Sequence, residues 1–445
     1  MNIEKESQPL SSQQCAKALT IFCGVCEYDE KSLKKLREGN TSGFSEWQFH
    51  VNPDGLSEQE MLRLFNDYYY ESFISSIFPE YTKAEKKYYN EAFAAHTVRL
   101  SKKLNKDFDI SIQRRSGTIN KKVRIEYVDL FLFPGNIAFY CFKCDYSGEA
   151  YDDITLLNGY IRNNALKEFG FIKESLDILK AGTHDSLLIF GNKLKSFTLV
   201  ELDQDLSPEE EKHLLYDLAT SSPVGSGSGE VPWFQPTGEY LDDLWEHNAI
   251  SVFDNWKGMC LFDSFTGLFR KGVLNNFIWE NAYFNLIFLH SIYIKHYLFR
   301  INKKFYLEDT NKQKLEDEFY EFDKYFNLKQ ITFNFLPQII YNKVRYGLDI
   351  EDELSQLQTS IERANNVEKS RRDKSINNVL TIIALLTVFS IIWDLSEWFN
   401  KILFNSEKSY VTISVSLTVG VTVLLLVFLL KNYWKNFRKW RKRRL

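Results

Sequence analysis

The sequence lacks the short motifs that announce catalysis. It has no H-E-x-x-H, no G-x-x-x-x-G-K-[ST] phosphate loop, no dinucleotide fingerprint and no nucleophile elbow. Its seven histidines are scattered, with no pair at i, i+4 spacing on which to seat a metal. Nothing in the chain argues for an enzyme. An apolar leader is also missing: residues 1–14 are polar, so no signal peptide is expected. Cysteine is sparse, at six among 445 residues, and in a cytosolic domain such thiols stay reduced. Two pairs, Cys23/Cys26 and Cys141/Cys144, have the C-x-x-C spacing that suits zinc. Both lie in runs that read as strands, LTIFCGVC and IAFYCFKC. On a strand, residues three apart point to opposite faces, so the expectation is buried core thiols.

What the chain does have is concentrated at its end. Charged residues make up 26% and the mean hydropathy is −0.31, values typical of a soluble protein. Yet 375–393 and 409–430 contain no charged residue at all. A helix needs about 20 apolar residues to cross the hydrocarbon core, so each run qualifies as a transmembrane span. Lys369, Arg371, Arg372 and Lys374 precede the first, and eight lysines and arginines follow the second. The connecting loop 394–408 is mixed in charge. Retention of positive charge on the inside predicts an inner (plasma) membrane protein with both termini cytoplasmic. Trp393, Trp398, Tyr433 and Trp434 fall where interfacial aromatics belong. Without the basic tail 431–445, the remaining chain carries 47 basic and 59 acidic residues, an ordinary solvating surface.

Ahead of the spans, apolar patterning predicts an α/β domain over 1–336 and a stalk helix over 337–374. Strands are expected at 19–26, 187–190 and 197–202, with a hairpin of 123–133 and 136–144 turning at Pro134-Gly135-Asn136. A further hairpin, 249–256 with 259–265, is expected to turn at Gly258. Helices are expected over 57–75, 82–104, 153–180 and 311–326, and from the Ser207 cap to about Ala219. The stretch 277–299 reads as a buried helix, although Glu280, His290, Lys295 and His296 interrupt its aromatics. Residues 221–238 read as a flexible linker. Gly225, Gly227 and Gly229 lack the strand-to-helix context of a phosphate loop. From Pro337 a helix runs toward Trp393, weakened at Gly347. Ile350, Leu354, Leu357, Ile361 and Ala364 form a coiled-coil-like seam along it. Arg114, Arg115, Lys121, Lys122 and Arg124 make the densest basic patch outside the tail, a candidate for a phosphate-bearing ligand.

At Asn377-Asn378-Val379-Leu380-Thr381-Ile382-Ile383-Ala384 the chain resembles the CorA family of divalent-cation channels. The resemblance is specific over about 340–440 and rests on element order alone before that. It implies a CorA-like homopentamer, with the first span lining a pore and the second packed outside. Two helices cannot enclose a conduit, so an oligomer is also required on physical grounds. On a helical wheel Asn377, Thr381, Ala384, Val388 and Ile391 share one face, with Leu380 at its edge. Five copies would stack a polar ring and then apolar rings able to gate by dewetting.

The family carries Gly-Met-Asn outside the first span, and here an ungapped register places Trp398-Phe399-Asn400 there. The asparagine survives and the other two do not, which puts Mg²⁺ selectivity in question. The chain resembles in this respect the CorA-like membrane effectors of type III CRISPR defence. That resemblance implies gating by a nucleotide second messenger, a cyclic oligoadenylate or an S-adenosylmethionine–AMP conjugate. No cofactor is required and no direct nucleic-acid binding is expected; the lipid bilayer and Mg²⁺ or another divalent cation are the implied partners. Two other readings stay open: an ordinary Mg²⁺/Co²⁺ transporter, and a membrane-tethered sensor or scaffold without a pore.

Overall fold

The computed structural model describes residues 9–28, 36, 43–78, 98–114, 117–179, 193–307, 312–403 and 420. The second charge-free run apart from Gly420, the basic tail, Arg115 and the strand expected at 187–190 lie outside them. Two compact units divide the chain between Gln358 and Thr359.

The first unit is built on β1 (Cys15–Glu27). Its sequence is apolar on both faces, which suits a strand covered on both sides and unsuits an edge. It pairs antiparallel with β5 (Ile137–Asp145) and with β6 (Lys195–Leu202). The described strands form one nine-stranded sheet in the order β2-β3-β4-β5-β1-β6-β9-β8-β7. The others are β2 (Ser45–Glu46), β3 (Val98–Arg114), β4 (Gly117–Phe133), β7 (Ala249–Ile250), β8 (Trp256–Leu261) and β9 (Ser264–Phe269). All neighbours are antiparallel except β6 and β9. Gly24 in β1 has a local reason: a Cβ there would run into the Tyr140 ring.

Before the helices on the sheet come α1 (Glu58–Asn66) and α2 (Glu71–Ile77). On one face Ala18, Phe22 and Cys26 of β1 share a core with Ile154, Leu157 and Ile161 of α3 (Tyr151–Glu168). The same core takes Ile172 of α4 (Gly170–Leu179) and Leu214, Leu215 and Leu218 of α5 (Pro208–Thr220). Ser207 caps α5 with a reciprocal capping box to Glu210, as its sequence predicts. A further helix, α6 (Gly238–Asn248), leads into β7. The opposite face is covered by a π-helix (Trp279–Phe288) that continues into α7 (Leu289–Leu307). Phe133 stacks on Tyr293 at 4.6 Å, and Phe197 meets Phe284 and Phe288. Then follow α8 (Lys312–Phe326), α9 (Phe335–Gly347) and α10 (Ile350–Leu403). The expected α/β domain and long C-terminal helix are therefore present.

Several expectations need correction. Residues 98–104, read as the end of a charged helix, belong to β3. The Leu100/Leu104 spacing imitates a helical stripe, but pairing with β4 over fifteen registered positions decides the matter. The later hairpin turns at Phe262-Asp263, not at Gly258, which lies inside β8 opposite Gly267. Glycine there leaves room for the Phe265 ring, whose nearest atom would stand 3.3 Å from an added Cβ. The helix from Pro337 is broken: Asp349 adopts a left-handed φ of 60°. Beyond it α10 runs 54 residues, about 80 Å at 1.5 Å per residue. Ile350, Leu354 and Leu357 of the expected coiled-coil seam are buried within the first unit instead.

His290 in α7 is fully buried among Phe73, Phe326 and Tyr341, and neither ring nitrogen has a hydrogen-bond partner. Burial lowers its pKa to about 3, and His296 is lowered to about 3 in the same way. An unfolded histidine takes up its proton near 6.5, so the native state loses stability as pH falls from about 6.5 toward 3. Replacing His290 with Phe should raise stability at pH 7 by about 1–3 kcal/mol, since two unsatisfied nitrogens are removed. The gain should widen toward pH 5, as read by urea unfolding of the detergent-solubilised chain.

Candidate functional site

The uncharged stretch of α10 is the feature with the plainest physical demand. Ile376, Val379, Leu380, Ile382, Ile383, Leu386, Val388 and Ile391 are all exposed, on every side of the helix. Among the described residues this is the one helix long and apolar enough to cross a membrane, and none of that stretch is buried. A helix apolar all round needs an apolar surrounding. Asn377, Leu380, Thr381, Ala384, Val388 and Ile391 occur on it as exposed positions of a continuous helix. Thr381 donates its hydroxyl to the Asn377 carbonyl at 2.7 Å, so the helix itself satisfies that polar group. Asn377 and Asn378 are both exposed and carry the side-chain amides of this stretch. Trp398, Phe399 and Asn400, expected in the outer loop, fall instead within the last turns of α10, which ends at Leu403. The α-helical ladder continues through them because no Gly or Pro interrupts 375–403.

The basic patch is divided. Lys121 lies across from Ile110, on the face packed against the core, and its ammonium is held by Asp153 at 2.7 Å and Glu149 at 3.2 Å. Arg114 pairs in register with Gly117 where β3 meets β4. Lys122 and Arg124 take the other, exposed face, directly opposite Asp109 and Asp107. The period of two along β4 separates the charges that are neighbours in sequence. They do not converge on one anion.

The C-x-x-C pairs are also split, as strand geometry requires. Cys23 lies opposite Cys141 with their sulfurs 3.3 Å apart, whereas Cys26 and Cys144 face the other side of the sheet. Among the described residues no three His, Cys, Asp or Glu side chains group as metal ligands. The glycine-rich stretch 221–238 is not a loose linker in its first half. Asp217 of α5 is buried and accepts hydrogen bonds from Gly225 and Gly227 N–H, both at 2.8 Å. Those amides therefore embrace the protein's own carboxylate, which burial pushes up to about 7 despite them.

A second polar site, missed in the sequence, sits where the π-helix meets the sheet. Asp129 of β4 is buried and accepts from Trp47 Nε1 at 2.9 Å and from His50 Nε2 at 2.8 Å. His50 stacks on Tyr127 with ring centroids 3.4 Å apart. Beside them Lys143 of β5 reaches Glu280 at 3.0 Å and Glu126 at 3.2 Å. Burial raises the Glu280 carboxyl against the pull of Lys143. Burial works against the Lys143 ammonium too, but its two carboxylates raise its pKa overall. Asn281 ties the same helix to the Val51 carbonyl at 2.6 Å. A charged residue inside an aromatic run was the available signal at Glu280. Its partners lie far away in sequence, so no spacing pointed to them.

Comparison with known proteins gives no relative to set beside this geometry: no family model, no curated protein and no solved structure matches the chain.

The Glu280–Lys143 pair makes a direct prediction. Lys143→Met strands a buried carboxylate and should cost about 3–5 kcal/mol, while Lys143→Met with Glu280→Met should recover most of the loss. Urea unfolding followed by tryptophan fluorescence reads both. An equal loss in the double variant would mean that packing, not charge, holds the site.

Proposed function

We propose that the chain is a homo-oligomeric, CorA-like membrane channel whose conduit is lined by the uncharged stretch of α10. The observation that supports this reading is that stretch itself: apolar on every side, free of charge and exposed. The face proposed to line the conduit begins with the polar Asn377 and Thr381 and continues with Ala384, Val388 and Ile391. A single such helix, or two, cannot enclose water, so copies must assemble; the family resemblance makes the number five. The first unit then belongs to the cytosol, on the side of the basic residues that flank the helix.

The resemblance extends the proposal to gating by a nucleotide second messenger in type III CRISPR defence. The messenger acts only through different affinities for the closed and open states. Lys122 and Arg124 face Asp109 and Asp107, so the hairpin is not assigned as its pocket. The departure at Trp398-Phe399-Asn400 favours this effector reading over a housekeeping Mg²⁺ transporter.

Reconstitution of the full chain into liposomes tests the proposal. Divalent-cation flux should appear with a cyclic oligoadenylate or an S-adenosylmethionine–AMP conjugate and be absent without one. Flux without a messenger, suppressed by Mg²⁺ on the cytosolic side, would identify an ordinary transporter. Asn377→Leu and Val388→Asp should each change flux by about tenfold or more if they line the conduit, because polar and charged rings set entry and wetting. Unaltered flux in both variants, with the oligomer intact, would leave a tethered scaffold.

A further inference from the structure

One row of side chains crosses the middle of the sheet. Asp129 of β4 pairs with Cys141 of β5, Cys141 with Cys23 of β1, and Cys23 with Lys195 of β6. Partners in register share a face. Here it is the face on which Lys143, two residues along β5, reaches Glu280 of the π-helix. Asp129, Cys141 and Cys23 are buried, whereas Lys195 is partly exposed, so the row meets solvent at its β6 end.

The Cys23–Cys141 pairing has a geometry of its own. At one end of the β1–β5 ladder Tyr146 N–H donates to the Ala18 carbonyl at 2.8 Å, and at the other Tyr28 N–H donates to the Asn136 carbonyl at 3.1 Å. Each bond joins directly opposed residues, and bonded and non-bonded pairs alternate along an antiparallel ladder. The register runs without a shift between them, and Cys23 stands five positions from Ala18 and five from Tyr28. Cys23/Cys141 is therefore a non-hydrogen-bonded pair, in which Cα atoms stand about 4.5 Å apart and side chains approach closely. That spacing lies within the window of about 4.4–6.8 Å that a disulfide requires. The two sulfurs are already 3.3 Å apart, with the Cys141 thiol donating to Cys23. Burial holds the Cys141 thiol well above its usual range, which keeps it a donor. Cys15, Cys26 and Cys260 instead donate to backbone carbonyls.

We propose that Cys23 and Cys141 form a reversible thiol–disulfide pair, oxidised by hydrogen peroxide, that staples β1 to β5. Cys23, the acceptor of the thiol hydrogen bond, attacks the peroxide O–O bond. Its proton leaves with the departing oxygen as water, and Cys23 becomes a sulfenic acid. Cys141 then displaces the hydroxyl from that sulfur, forming the S–S bond and releasing a second water. The two thiols together lose two electrons, and the peroxide gains them. A movement of about 1.3 Å takes the sulfurs from contact to bond length. Transient, redox-responsive disulfides are the kind found in a reducing cytosol. The pair lies wholly in the sheet unit and is independent of the channel reading.

Peptide mapping of the full detergent-solubilised chain after hydrogen peroxide tests it, with the remaining thiols alkylated in denaturant before digestion. A peptide pair joined through Cys23 and Cys141 should accumulate, and dithiothreitol should return it to two thiols. Both thiols should be lost at least about tenfold faster than those of Cys15, Cys26, Cys144 and Cys260, which have no second sulfur to capture a sulfenic acid. The link closes a loop over 118 positions, so oxidation should raise the urea midpoint of the wild type and leave that of Cys23→Ala unchanged. Loss of all the cysteines at one rate, a sulfinic acid at Cys23 without a cross-link, or a cross-link between two chains would each overturn the pair. The wild-type map decides the matter by itself if Cys23→Ala does not fold.

Discussion

The constraint on which the sheet unit depends is the burial of β1 on both faces. A strand with apolar side chains on each side needs two covering layers, and no shift of register can relieve that demand. The layers come from different parts of the chain: α3, α4 and α5 on one side, the π-helix and α7 on the other. Fixing β1 also fixes its neighbours. β5 is buried along almost its whole length and β6 likewise, so both are interior strands. The parallel pairing of β6 with β9 requires a long crossover, which α5 and α6 supply.

Polar groups inside this framework are arranged by the same demand. Asp217 gathers the amides of a glycine-rich loop, Asp129 gathers Trp47 and His50, and Lys143 is shared by Glu126 and Glu280. Each of these buried charges has hydrogen-bonding or ionic partners, as low dielectric requires. His290 departs from that pattern. Its box of aromatic rings offers no conventional acceptor, and the ring stays neutral. The π-helix places Glu280 and Asn281 together toward the sheet side, and such wide turns recur at functional sites in general.

Beyond Asp349 the physical problem changes. The first turns of α10 bury Ile350, Leu354 and Leu357, but over 375–393 the helix has no charge and its apolar side chains are largely exposed. An exposed apolar surface of that length is unfavourable in water. Lipid and copies of the chain can cover it, and a conduit lined by α10 is the proposal that uses both the apolar rings and Asn377.

Much of this was legible in the residues themselves. The β4–β5 hairpin followed from its Pro-Gly-Asn turn, α5 from its capping box, and the opposite-face placement of each C-x-x-C pair from the period of a strand. The uncharged run was equally plain, because hydrocarbon compatibility depends on composition and length alone. What remained hidden required long-range partners. Residues 98–104 looked helical until β4 set their register, and the basic patch looked compact until the pleat divided it. The break at Asp349 and the embrace of Asp217 depend on contacts with β8 and with a loop that no local pattern encodes. Sequence determined the periodicities, caps and charge-free spans, since these are local properties of the chain. Only tertiary structure decided which face each charge occupies and whom it meets, because those interactions join residues at separations from 8 to 137 positions that follow no helical or strand period.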